Sequence, residues 1–155
     1  MNTVTQKIAP FHLSSAAREW LSFSICLVCL ALFVISAYDK ITEHDRFLRG
    51  LVKVKYISDY ALFVSWAVPI TETVIAVMLL FPASQKPGLY GFTLLMSVFT
   101  IYIGSMWLWA EKLPCHCNLI VEKLSWGQHV WFNIAFIAIA SYALILQKNG
   151  FKHKH

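Results

Sequence analysis

Four stretches almost free of charge constrain this chain more than any other feature: Trp20 to Tyr38, Tyr60 to Gln85, Pro87 to Ala110 and Leu124 to Gln147. Each approaches or exceeds the roughly 20 residues that an α-helix needs to cross a hydrocarbon core about 30 Å thick. Helices that are apolar all round have no face for water, and four in succession would leave a soluble domain without a wettable surface. Composition points the same way, with 14% charged residues against roughly 25% in soluble proteins. The expected fold is all-α, a polytopic membrane four-helix bundle with a short amphipathic helix in its first loop. It forms one transmembrane domain over 1–155, with spans near 20–38, 60–81, 89–110 and 127–147. The first apolar stretch outruns the roughly 7–15 residues of a signal-peptide core and three spans follow it. It is therefore read as a retained span, although Ile35-Ser36-Ala37 resembles a weak cleavage site.

The loop from Ile41 to Asp59 has a pattern of its own. Phe47, Leu51 and Val54, with Leu48 and Val52, recur at helical spacing, while Arg46, Arg49, Lys53 and Lys55 fill other positions. That pattern predicts an amphipathic helix on the membrane surface or over the mouth of the bundle. Pro82 to Gly88 reads as a turn between the second and third spans. Trp107, Trp109, Trp126 and Trp131 gather at the adjoining ends of the last two spans, as an interfacial aromatic belt does. The loop between those spans, Glu111 to Lys123, carries Cys115-His116-Cys117.

Four spans place both chain ends on one side, and the Lys and Arg counts of the two sides are too close to set an orientation. Basic residues without acidic neighbours flank the short loop and the C-terminal end, and a cysteine pair gains a use in an oxidising compartment. Both cues favour cytoplasmic termini and a cysteine loop on the outer, oxidising side of the membrane. No basic patch interleaves with aromatic residues, so nucleic acid is not an expected partner, whereas membrane lipid is.

Cys115 and Cys117 are candidate redox residues. A bridge needs Cα atoms about 4.4–6.8 Å apart, so cysteines separated by one residue close only through a tightly bent backbone. A strained bridge is readily reduced and suits exchange better than permanent stapling. An imidazolium at His116 raises the thiolate fraction of its neighbours. The same residues also fit an inert structural bridge, two unremarkable thiols, or, with His129, a site for a thiophilic metal, although zinc sites prefer wider cysteine spacing. Cys26 and Cys29 share one face of the first span, about 9–14 Å along it by helical rise. They read as small apolar packing residues. Glu72 is the one acid inside a span. It should face the interior, protonated or paired, next to the carbonyl that Pro69 leaves without a helical donor. It fits a proton or quinone site, and equally an interhelical hydrogen bond to Asn133, Ser97 or Ser105.

Together these motifs resemble the methylamine utilisation protein MauE family. The resembling residues are Ser36-Ala37-Tyr38-Asp39-Lys40 ending the first span, Phe47 and Tyr60 in the loop that follows, Pro69-x-x-Glu72, and Cys115-x-Cys117 before the last helix. Ser125-Trp126, His129 and Asn133 resemble a Trp, His, Asn run in divergent bacterial members described as DoxX-like redox-associated membrane proteins. Many members continue the cysteine motif with Phe-Gly or Gly-Gly, where this chain has Asn118-Leu119. Asn also adopts the left-handed conformation such a turn needs. The resemblance implies a four-helix bacterial inner-membrane protein, its cysteine loop periplasmic, linked to thiol redox chemistry and to maturation of a disulfide-rich periplasmic subunit. The implied partner is a periplasmic thioredoxin-like or disulfide-containing protein; a quinone as electron carrier is suggested by the position of Glu72 alone. A non-enzymatic scaffold for such a partner is the alternative.

Overall fold

A computed structural model describes residues 14–52, 54, 57–109 and 126–151. The described residues form α1 (Ser15–Thr42), α2 (His44–Val52), a 3-10 turn (Ser58–Tyr60), α3 (Ala61–Leu80), α4 (Gln85–Trp109) and α5 (Trp126–Phe151). Four helical segments, Ala16–Thr42, Ser58–Leu80, Gln85–Ser105 and Gly127–Lys148, are long and apolar enough to cross a membrane. With every backbone bond made inside the segment, a helix is one of the few structures a bilayer tolerates. The outward faces carry large apolar side chains, with Phe63, Leu94 and Ile101 all at least two-thirds exposed. The chain is a multi-pass membrane protein.

The helices run up, down, up and down, each packed on its neighbours in chain order, and α5 closes the ring against α1. Their inner faces follow from the sequence. On α1 the buried positions include Ser22, Cys26, Cys29, Phe33, Ser36 and Lys40; on α3 they include Ala61, Ser65, Pro69, Glu72, Ala76 and Leu79. Both sets recur every three or four residues, so each lies on one helical face. Small residues on that α3 face, Ala61, Ser65 and Ala76, let the two backbones approach closely. Lower in the bundle, glycines do the same for α3 and α4. A Cβ on Gly88 would stand 3.1 Å from Leu79 Cδ2 and 3.2 Å from the Leu79 backbone nitrogen, and one on Gly91 would stand 3.2 Å from Ile75 Cγ1.

The structure extends the first span by several residues at each end. Ser14 accepts a hydrogen bond from the Ala17 N–H and caps α1 at its start. It also starts α4 at Gln85, inside the segment expected to be a turn. Pro87 is tolerated there because N–H groups of a first helical turn have no partner within the helix. The amphipathic helix forms as expected, and it lies over the bundle mouth. Leu51 and Val54 are buried while Val52 is exposed, and Lys53 and Lys55 lie outside the described residues. His44 anchors the start of α2 on α3, its Nε2 lying 3.0 Å from Ser65 Oγ and its ring 4.4 Å from that of Trp66.

The interior has two zones. Toward the termini, Cys26, Cys29, Ile75, Leu79, Leu89, Ala140 and Ala143 form a close-packed apolar core. Phe33 of α1 and Phe92 of α4 stack across its upper end, ring centres 4.4 Å apart. Beyond them, toward α2, the helices leave a partly open cavity of about 200 Å³.

Candidate functional site

Cys115, His116 and Cys117 lie outside the described residues. The helices that flank their loop end beside the cavity. Tyr102 and Ile103 of α4 and His129, Phe132 and Asn133 of α5 all line it, with Phe47 and Leu51 of α2 above. Trp131 is exposed, consistent with an interfacial position, and the side chains of Trp107, Trp109 and Trp126 lie outside the described residues.

Glu72 sits at the cavity wall with no solvent exposure. Its partners differ from those expected. Lys40 Nζ donates to Glu72 Oε1 at 2.9 Å and Oε2 at 3.3 Å, and the Ser36 hydroxyl donates to Oε1 at 2.9 Å. Lys40 also reaches the Ser36 hydroxyl and carbonyl oxygens, so the three residues form one closed cluster. Ser97 and Ser105 instead donate to carbonyls of their own helix, those of Thr93 and Tyr102. Asn133 borders the same cavity and makes no hydrogen bond to Glu72.

The geometry explains the partner. Side chains on a helix lean toward its N-terminus. Lys40, near the C-terminal end of α1, therefore reaches back into the bilayer over Ser36, one turn deeper. A carboxylate buried inside a membrane protein needs a cation or a donor, and α1 supplies both. In the sequence Lys40 stands at the end of the first span, where a charge is expected to face water. The available signal was its spacing: Lys40 continues the face of Cys29, Phe33 and Ser36 at helical intervals.

The ion pair is set among aromatic rings. Lys40 Nζ lies 5.6 Å from the ring centre of Phe99 on α4 and 5.8 Å from that of Phe47 on α2. α2 is thus tied to the cluster as well as to α3. The pair has no formal net charge, so the cavity presents a neutral polar patch, with Ser36, Tyr102, His129 and Asn133 the other polar residues in a mostly apolar lining.

Cys26 and Cys29 are fully buried in the packed zone and are free thiols. They lie on the terminal side of the Phe33 and Phe92 stack, away from the cavity. Helical rise separates Cys29 from Lys40 by about 16 Å along α1. Among the described residues no group of three or more His, Cys, Asp or Glu could hold a metal ion.

Comparison with curated proteins gave no match, and comparison with solved structures gave none. Comparison with family models did: the model described as methylamine utilisation protein MauE matches residues 18–146. That range takes in all four spans, the Lys40 and Glu72 pair, the α2 cap and the cysteine loop. The chain belongs to the MauE family.

Proposed function

We propose that this protein acts in the bacterial inner membrane as a thiol–disulfide exchange component in the maturation of periplasmic partner proteins, through Cys115 and Cys117. The supporting observation is family membership across a range that includes the cysteine loop and whose description names methylamine utilisation. A methylamine-linked partner is accordingly the first to test. In the exchange, a thiolate of one cysteine attacks a disulfide sulfur of a thioredoxin-like or disulfide-containing partner. The partner's other sulfur leaves as a thiol. The second cysteine then attacks the mixed disulfide, closing the Cys115 to Cys117 bridge and releasing the reduced partner. Two electrons and two protons pass to the partner, and the reverse sequence oxidises it. His116 raises the thiolate fraction available for attack. The termini face the cytoplasm and the loop the periplasm, an orientation that a reporter fused to the C-terminal end would verify.

Differential alkylation of membranes, with and without reductant, tests the exchange. Cys115 and Cys117 should alkylate only after reduction, and one of the two variants Cys115→Ser and Cys117→Ser, the one that removes the resolving thiol, should trap a mixed disulfide with its partner. Free thiols under every condition, together with a double serine variant that behaves as wild type, would sink the proposal.

A further inference from the structure

His129 and Asn133 have no part in the exchange chemistry. They stand one turn apart on α5 and therefore share a face. Both line the cavity that holds the Lys40, Ser36 and Glu72 cluster. Asn133 is buried, at 4% exposure, and burial of a side-chain amide is costly unless a hydrogen bond compensates it. Lys40 and Ser36 spend their donors on Glu72 and on each other. The α5 pair is therefore placed to serve an acceptor on a ligand.

The cavity selects the class of that ligand. Its polar patch is neutral overall, which disfavours an anion such as a phosphate head group. Phe33, Phe47, Phe99 and Phe132 contribute to the walls, and aromatic walls favour a flat ring. A cavity of roughly 150 Å³ is large enough for benzene, and this one is about 200 Å³. It also reaches the bilayer. Val98 lines it and is 52% exposed, on the same outward stripe of α4 as Leu94 and Ile101. A ligand dissolved in the membrane can thus enter without crossing water.

We propose that this cavity binds the head group of a membrane quinone, with His129 and Asn133 donating to a ring carbonyl and the Lys40 and Glu72 pair facing the ring. The role of the quinone as electron acceptor rests on the exchange reading; its binding does not. In that role it takes two electrons and two protons from a dithiol, which closes to a disulfide as the quinone becomes a hydroquinone.

The test uses full-length protein in lipid nanodiscs and a photoreactive short-chain benzoquinone, competed by the same quinone without the reactive group. Labelling should saturate and map to peptides of α1, α3, α4 and α5 around the cavity. Asn133→Leu, which removes the donors at similar volume, should weaken competition roughly tenfold, the effect of losing one or two neutral hydrogen bonds. Val68→Phe, which fills the cavity with apolar bulk, should abolish specific labelling even if Asn133→Leu folds poorly. Leu94→Ala, on the outward face, should leave labelling unchanged. Labelling that never saturates, that spreads over lipid-facing peptides, or that survives Val68→Phe overturns the proposal. The Cys115→Ser and Cys117→Ser double variant should keep full binding, and loss of binding there also overturns it. Saturable labelling together with no mixed disulfide leaves the quinone site standing and removes the exchange reading.

Discussion

Breaking the Lys40 and Glu72 pair from one side should cost far more than replacing both residues together. In Lys40→Met the carboxylate loses its contacts at 2.9 and 3.3 Å and keeps only the Ser36 hydroxyl. In Glu72→Met the ammonium keeps the oxygens of Ser36 and the rings of Phe99 and Phe47 but loses its counter-charge. Removing one member of a buried ion pair costs about 3–5 kcal/mol, because an uncompensated charge stays buried, whereas apolar replacement of both is often near neutral. The retained Ser36 contacts put each single variant near the lower figure, about 3 kcal/mol. The Lys40→Met and Glu72→Met double variant should lie within about 1 kcal/mol of wild type, which gives a coupling well above the ~0.5 kcal/mol expected of independent sites. Reversible unfolding in mixed micelles titrated with SDS, followed by circular dichroism, supplies the four free energies of the cycle. Single variants that each cost under about 1 kcal/mol, or a double variant as unstable as the sum of the two, would refute the argument that the pair neutralises itself inside the bundle.

Three further outcomes follow from the packing. Gly88→Val should destabilise the bundle by about 1–3 kcal/mol in the same assay, since its Cβ meets the Leu79 backbone nitrogen at 3.2 Å and backbone gives way less readily than a side-chain tip. A stability unchanged by that substitution would mean that α3 and α4 are not so closely apposed. His44→Ala removes the contacts to Ser65 and Trp66 and should speed amide exchange in α2 by about five- to tenfold with global stability nearly unchanged, as expected for a local anchor worth about 1 kcal/mol. Cys26 and Cys29 should resist maleimide in the folded protein and react once SDS unfolds it, and Cys26→Ala with Cys29→Ala should leave the redox state of the loop thiols unaltered, because both side chains are fully enclosed.

Several of these features were legible before any tertiary structure. Length and the near absence of charge were enough for the four spans, since hydrocarbon thickness sets span length independently of packing. The 3,4 spacing of Phe47, Leu51 and Val54 was enough for α2, and burial of Leu51 and Val54 follows it. The inward position of Glu72 followed from the cost of exposing a carboxylate to lipid. Its partner did not follow. Ser97, Ser105 and Asn133 stood within the spans and Lys40 at a span boundary, and only the reach of a long side chain back along α1 brings Lys40 to the acid. The α4 boundary was misplaced for a similar reason, because Pro and Gly near a helix start are compatible with the helix itself.

By itself the sequence determined that this protein is a multi-pass helical bundle, that one acid lies inside it, and that a Cys-x-Cys pair sits in its last loop. Those are properties of local composition against a fixed solvent, and no neighbour can change them. Only the tertiary structure decided which cation neutralises Glu72, that α2 caps the bundle mouth, and that α1, α3, α4 and α5 leave a cavity beside the pair while packing tightly below it. Those depend on how helices of different side-chain size approach one another. Small residues and glycines draw the lower halves together. Above the stacked rings of Phe33 and Phe92, long and aromatic side chains hold the helices apart around the space they leave.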